Sequence, residues 1–179
     1  SEGDGVAEVI LANAEGEIQY DFTGNLTLKH DNIWFINSEG VLTKFSIKNQ
    51  IFESFSTPTN AHINSLEVQA DLIWLLTSDD KLLTFDIQKE TFKSISIPPT
   101  PNFIISAANQ LKIFKEWLWI GSSSQGIALI NFKTNQVQLY NESKALNNNY
   151  INAILINEQG QAWCSTNKGL SFIDPINNQ

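Results

Sequence analysis

Methionine is absent from the 179 residues, cysteine occurs once and histidine twice. A chain without methionine that opens Ser1-Glu2-Gly3-Asp4-Gly5 reads as a processed product or as a piece of something longer. The lone Cys164 excludes an internal disulfide and leaves the redox compartment open. His30 and His62, with scattered carboxylates, do not make a zinc site; both read as surface or hydrogen-bonded polar residues. Basic residues are scarce, 11 against 19 acidic ones, for a net charge of −8. That balance repels a phosphate backbone and argues against a nucleic-acid partner. No apolar run approaches the roughly 18 residues of a membrane-crossing helix, so no membrane contact is expected within the chain. No stretch shows a helical period, so helix content is expected near zero. What remains is 42% hydrophobic with 11 Phe and 5 Trp, enough for one sizeable core and one domain.

Four of the five tryptophans are evenly placed: Trp34, Trp74, Trp119 and Trp163, at intervals of 40, 45 and 44 residues. Their surroundings align. Ile33-Trp34-Phe35 matches Ile73-Trp74-Leu75, Leu118-Trp119-Ile120 and Ala162-Trp163-Cys164. Shortly after each Trp stands a turn position: Gly40, Asp80, Gly126 and Gly169. Further on stands a small polar residue: Ser46, Asp86, Asn131 and Asp174. The second unit reads as four short strands, 63–69, 72–77, 81–87 and 91–96, rich in Ile, Leu, Phe and Thr and bounded by turn residues. Four strands in each period of 40–45 residues is the pattern of a propeller blade. A single such sheet cannot hide its apolar faces, so neighbouring sheets must stack. The expected fold is all-β, a β-propeller of four-stranded antiparallel blades with about four blades present. The repeated Trp is expected to fill the space between adjacent blades. The competing arrangement is a β-sandwich with coincidental spacing.

The ends read as incomplete units. Residues 7–12, a turn at 13–16 and residues 17–22 resemble the third strand, turn and fourth strand of a blade. The expected division is 1–24 for the back half of a preceding blade, blades at 25–57, 61–96 and 103–141, and 149–179 for a blade lacking its own fourth strand. Strand 17–22 is placed to complete that last blade. Otherwise the arc stays open, with adhesive faces that pair with a second copy or sit inside a larger ring.

Motifs for chemistry are weak. Gly121-Ser122-Ser123-Ser124-Gln125-Gly126 lacks the Lys and the helix of a phosphate loop and reads as a turn. Cys164 takes the place of Phe35, Leu75 and Ile120, so it reads as a small buried hydrophobe. Asp79 and Asp80 sit in a turn, where Asp is common. Asp86, Asn131 and Asp174 are expected to accept hydrogen bonds from local backbone amides. No carboxylate pair stands out for glycosidase chemistry. No catalytic residue, metal ligand or cofactor is expected. Asn25 and Asn141 open short glycan-acceptor patterns that carry little weight.

In the fourth unit, Asn147-Asn148-Asn149-Tyr150-Ile151-Asn152-Ala153-Ile154 leads through Gly160, Trp163-Cys164-Ser165-Thr166-Asn167-Lys168-Gly169-Leu170 and Ile173 to a closing Asp174-Pro175. This resembles the two-component regulator propeller repeat. Trp119-Ile120-Gly121 matches its core in the third unit, whereas the first two units lack that glycine. The resemblance implies part of a seven-bladed periplasmic sensor propeller of a hybrid histidine kinase. Its implied partners are the remaining blades and domains of that receptor, and its implied ligand is an oligosaccharide. The chain carries no kinase or receiver element. The candidate ligand face is the set of loops between second and third strands: Ser38 and Glu39, Ser78 and Asp79, Ser122, Ser123, Ser124 and Gln125, and Thr166, Asn167 and Lys168. Trp117 is the candidate stacking surface. The alternative reading is a structural or protein-interaction propeller without a small-molecule ligand, self-associating through exposed blade faces.

Overall fold

The computed structural model describes residues 22–175. Blade 1 comprises β1 (Phe22–Lys29), β2 (Asn32–Asn37), β3 (Leu42–Ser46) and β4 (Ile51–Phe55). Blade 2 comprises β5 (Ile63–Gln69), β6 (Leu72–Thr77), β7 (Leu82–Asp86) and β8 (Thr91–Ile95). Blade 3 comprises β9 (Ala108–Phe114), β10 (Trp117–Ser122), β11 (Ile127–Asn131) and β12 (Val137–Tyr140), preceded by a single 3-10 turn at Ile105–Ala107. Blade 4 comprises β13 (Ile151–Ile156), β14 (Ala162–Thr166) and β15 (Gly169–Ile173). Strands pair antiparallel with their neighbours in chain order, giving three four-stranded sheets and one of three strands among the described residues. The fold is the propeller arrangement of four blades expected from the repeat. Phe22 pairs with Asn37 within β1, so residues 22–24 join the first described blade rather than the unit before it. The remainder of the expected 1–24 half-blade and of strand 17–22 lies outside the described residues.

Hydrophobic pattern sets the stacking. All five residues of β11, Ile127–Asn131, are buried, because an inner strand has a blade on each side. Each blade therefore has a leading face, toward the next blade, and a trailing face, toward the one before. Trp34, Ile36 and Leu42 of blade 1 share a core with Leu66, Ile73, Leu83 and Phe85 of blade 2. Trp74, Leu76 and Leu82 of blade 2 share one with Leu111, Leu118, Ala128 and Ile130 of blade 3. Trp119, Ile127 and Leu129 of blade 3 share one with Ile154, Ala162, Cys164 and Ile173 of blade 4. Among the described residues these make three inter-blade layers, each built around one leading-face Trp, while Phe35 is buried on the other face of blade 1.

The fourth Trp departs from the expected burial. Trp34, Trp74 and Trp119 are buried, but Trp163 is 48% exposed, resting on Phe172 of its own blade at 4.9 Å between ring centroids. The reason is positional: Trp163 lies on the leading face of blade 4, against which no described strand packs.

Backbone ties lock successive blades. Asn64 Nδ2 donates to the Ser106 carbonyl at 2.9 Å, and Asn109 Nδ2 donates to the Ile151 carbonyl at 3.0 Å. The Ile63 amide donates to the Gly40 carbonyl at 2.8 Å, and the Gly126 amide to the Asn149 carbonyl at 2.9 Å. Gly40 and Gly126 have φ of +74° and +83°. A Cβ on Gly40 would stand 2.5 Å from the His62 ring, and one on Gly126 would stand 2.1 Å from the Tyr140 carbonyl oxygen. These two glycines serve the left-handed turn and, with it, the close approach of the His62 side chain at Gly40 and of the Tyr140 carbonyl at Gly126.

Candidate functional site

Antiparallel topology gathers the loops between second and third strands at one end of the molecule, beside the connections that lead into each next blade. Ser38, Glu39, Ser78, Asp79, Ser124, Asn167 and Lys168 are exposed there, while Ser122 and Thr166 are buried. Their polar atoms are largely spent inside their own turns. Asn37 Oδ1 accepts from the amides of Glu39 and Val41 at 3.1 and 2.9 Å. Asp79 accepts from the Thr77 hydroxyl at 2.6 Å and from Lys81 Nζ at 2.7 Å. Those hydrogen bonds, Lys81 first and Thr77 next, hold the Asp79 carboxyl down at about 2. Ser122 Oγ accepts from the amides of Ser124 and Gln125 at 3.3 and 2.7 Å. Thr166 Oγ1 donates to the Gly169 carbonyl at 2.8 Å and accepts from the Lys168 amide at 3.1 Å.

Other loop groups reach across to neighbouring segments. Asp80, with φ of +61°, accepts from the Ser106 amide at 2.6 Å. Gln125 Oε1 accepts from the Ile104 amide at 2.9 Å. Asn167 Oδ1 accepts from Asn152 Nδ2 at 3.1 Å, and Lys168 Nζ donates to Glu142 at 3.5 Å. The end face is therefore a set of self-satisfied turns, and its acceptors and donors do not converge on one concavity.

Trp117 does not join this face. It opens β10, pairs with Phe114 and Asn131, and lies at the opposite end of blade 3 from Ser122. There it lines a cleft of about 210 Å³ between blades 3 and 4, with Phe114, Gln138, Gln159 and Pro175. The small polar residues at the start of the last hairpin also lie at this opposite end. Asp86 Oδ1 accepts from the amides of Gln88 and Lys89, both at 3.0 Å. Asn131 Oδ1 accepts from the amides of Lys133 and Thr134 at 3.0 and 2.9 Å. Ser46 Oγ accepts from the Asn49 amide at 3.3 Å. Asp174 is buried and accepts from Gln161 Nε2 at 2.8 Å.

One concavity is axial. A cavity of about 830 Å³ is lined by first strands of all four blades, including Leu26, Glu67, Lys112 and Leu155, and by Trp163 and Leu170. Lys112 Nζ and Glu67 Oε2 pair across blades 2 and 3 at 2.6 Å inside it. The lining residues of blades 1 to 3, such as Glu67 and Lys112, were not marked by the repeat analysis, and the inter-blade Asn64 and Asn109 were missed as ties. A signal for the latter existed. Asn64, Asn109 and Asn152 stand ten, ten and eleven residues before their Trp.

Cys164 is buried in the layer between blades 3 and 4, and burial pushes its thiol up to about 12. Among the described residues, no group of three or more His, Cys, Asp or Glu side chains is placed to hold a metal ion. Among them, too, no helix is long and apolar enough to cross a membrane.

With this geometry in hand, the class of molecule is an all-β propeller of four-stranded antiparallel blades. No family model and no curated protein matches the chain. Solved structures do match in fold. The extracellular domain assigned to the hybrid two-component system BT3049 of B. thetaiotaomicron is similar at a TM-score of 0.58 and 23% identity, over 84% of this chain. The match spans 20% of that protein's length. The computationally designed protein Ika4 is similar at a TM-score of 0.63 and 14% identity, over 92% of this chain and 98% of its own. The designed protein Ika8 is similar at a TM-score of 0.60 and 11% identity, over 82% of this chain and 44% of its own.

Proposed function

We propose that this chain is a non-catalytic propeller module of an extracytoplasmic sensor or scaffold protein, acting through protein contacts rather than through a small-molecule ligand. One observation carries the reading. The candidate ligand loops spend their hydroxyls and amides within their own turns, as Ser122 and Thr166 do, while large apolar side chains stand open on a blade face. A ligand site needs convergent polar groups in a pocket, whereas an exposed apolar patch fits a macromolecular contact. The likeness to the extracellular domain of BT3049 supports the extracytoplasmic placement and a signalling parent. In such a parent the chain would form part of a larger receptor, with the periplasm as its compartment.

The test is calorimetric. Oligosaccharides of plant and host type are titrated into the folded chain, and no saturable heat is expected. A stoichiometric heat that is lost in Ser124→Ala or Lys168→Ala would overturn the reading in favour of an oligosaccharide site on the loop face.

A further inference from the structure

The geometry points to the cleft between blades 3 and 4 as a socket for one aromatic side chain of a partner protein, carried on an extended segment with acidic neighbours. This rests on the reading of the chain as a protein-contact module and names the surface and the partner's chemistry.

The chain shows how the same place is filled at its other junctions. After each of the last three third strands a small polar residue is followed by an apolar one: Asp86-Ile87, Asn131-Phe132 and Asp174-Pro175. Ile87 packs into the first junction, and Phe132 lies against Trp74 in the second, with ring centroids 5.2 Å apart. At the third junction the place falls to the smaller Pro175. No ring covers Trp119 among the described residues as Phe132 covers Trp74. The space left over is the cleft of about 210 Å³, with Trp119 and Leu129 as its buried floor, Phe114 and Trp117 from blade 3 on one side, and Gly160 and Pro175 from blade 4 on the other. A Cβ on Gly160 would stand 2.8 Å from the Phe114 ring, so that ring closes directly on the β13–β14 turn. Trp117 is particular to this blade; Asn32, Leu72 and Gln161 hold its place in the others.

Size and charge select the occupant. Sites for drug-sized ligands run about 300–1,000 Å³, so a cleft of about 210 Å³ takes a single ring rather than an oligosaccharide. Aromatic side chains seated in such pockets are common anchors of protein interfaces. Lys115 lines the cleft, is exposed, stands 5.0 Å over the Phe114 ring and makes no ion pair among the described residues. Glu116, the acidic group of the lining, is already paired with Lys133 at 3.4 Å. The uncommitted charge at the mouth is therefore positive, and a carboxylate beside the incoming ring complements it. Gln138 Oε1 accepts from the Tyr140 hydroxyl at 2.8 Å, which leaves the Gln138 amide to donate to a carbonyl of the incoming main chain.

The test titrates the full isotope-labelled chain with blocked tripeptides and reads the five tryptophan indole N–H signals. The acetylated, amidated peptide Asp-Phe-Asp, raised to about 10 mM to reach the affinity of a single anchor, should shift the Trp117 and Trp119 signals saturably. The signals of Trp34, Trp74 and Trp163 should stay in place. The peptide Asp-Ala-Asp should give no saturable shift, and Lys-Phe-Lys should bind about threefold more weakly than Asp-Phe-Asp, the scale of one exposed charge contact. Lys115→Glu, a change at an exposed position, should reverse that preference. Trp117→Ala should abolish the Trp119 shift, and the Lys115→Glu comparison decides the matter even where Trp117→Ala does not fold. No shift at that concentration, a shift centred on Trp163, equal binding of the alanine peptide, an unreversed preference in Lys115→Glu, or equal affinity for phenol alone would each overturn the proposal. The calorimetric test reads sugars at the loop face, so the contact-module reading and this socket fail separately.

Discussion

Trp34 and Phe85 meet across the first blade junction with ring centroids 5.6 Å apart, and Phe55 stacks on the same indole at 5.9 Å. This is the contact around which the repeat is organised: a second-strand indole of one blade on a third-strand apolar residue of the next. Lys44 closes the layer from outside, pairing with Glu53 at 2.8 Å and with Glu90 of blade 2 at 3.0 Å.

The equivalence of the tryptophans in sequence does not extend to energetics. Trp34→Ala removes a wholly buried side chain between two blades and should cost ~3–5 kcal/mol. Trp163→Ala removes a half-exposed ring and should cost less than about 1 kcal/mol in the monomer. Urea unfolding of the two variants, followed by circular dichroism, measures the difference.

Glycine at position 126 is required twice over, by its φ of +83° and by the Tyr140 carbonyl where a Cβ would go. Gly126→Ala should therefore destabilise by at least ~2 kcal/mol, from the left-handed backbone and the clash together. Gly169→Ala, with open space around its Cβ, should lose less. Denaturant midpoints of the two variants rank them.

Cys164 should be chemically silent in the native protein. Its thiol is buried and pushed up to about 12, so little thiolate is present near neutral pH. A disulfide-exchange reagent should label no thiol in the folded chain and one after denaturation. Rapid native labelling would place Cys164 outside the blade 3–4 layer.

The Asp79 turn should add an acid-sensitive increment to stability. Lys81 and Thr77 hold the folded carboxyl at about 2, below the roughly 3.9 of an unfolded chain. The increment is then fully present above about pH 4 and disappears as pH falls toward about 2. Asp79→Asn should flatten that part of the pH profile of the urea midpoint while leaving the remaining carboxylate titrations in place.

The strand pattern was largely visible in the residues. In blade 2 the expected strands at 63–69 and 72–77 are those observed, and the third and fourth differ by no more than one residue at either end. Alternating and continuous apolar runs bounded by Asp, Asn and Gly fix such elements locally. The separation of Trp117 from the serine loops was not visible, because its place depends on which end of β10 meets which turn. Burial of Trp163 was misjudged for a similar reason. Its strand carries the same local pattern as β2, β6 and β10, but burial requires a neighbouring sheet.

By itself, the sequence determined the period, the strands and the turns, because propensity and left-handed turn chemistry act over a few residues. Only the tertiary structure decided which indoles are covered, which loop hydroxyls are spent and where the apolar faces stay open. Those properties belong to the stacking of one blade on another, and the first and last members of a stack obey different surroundings with the same residues.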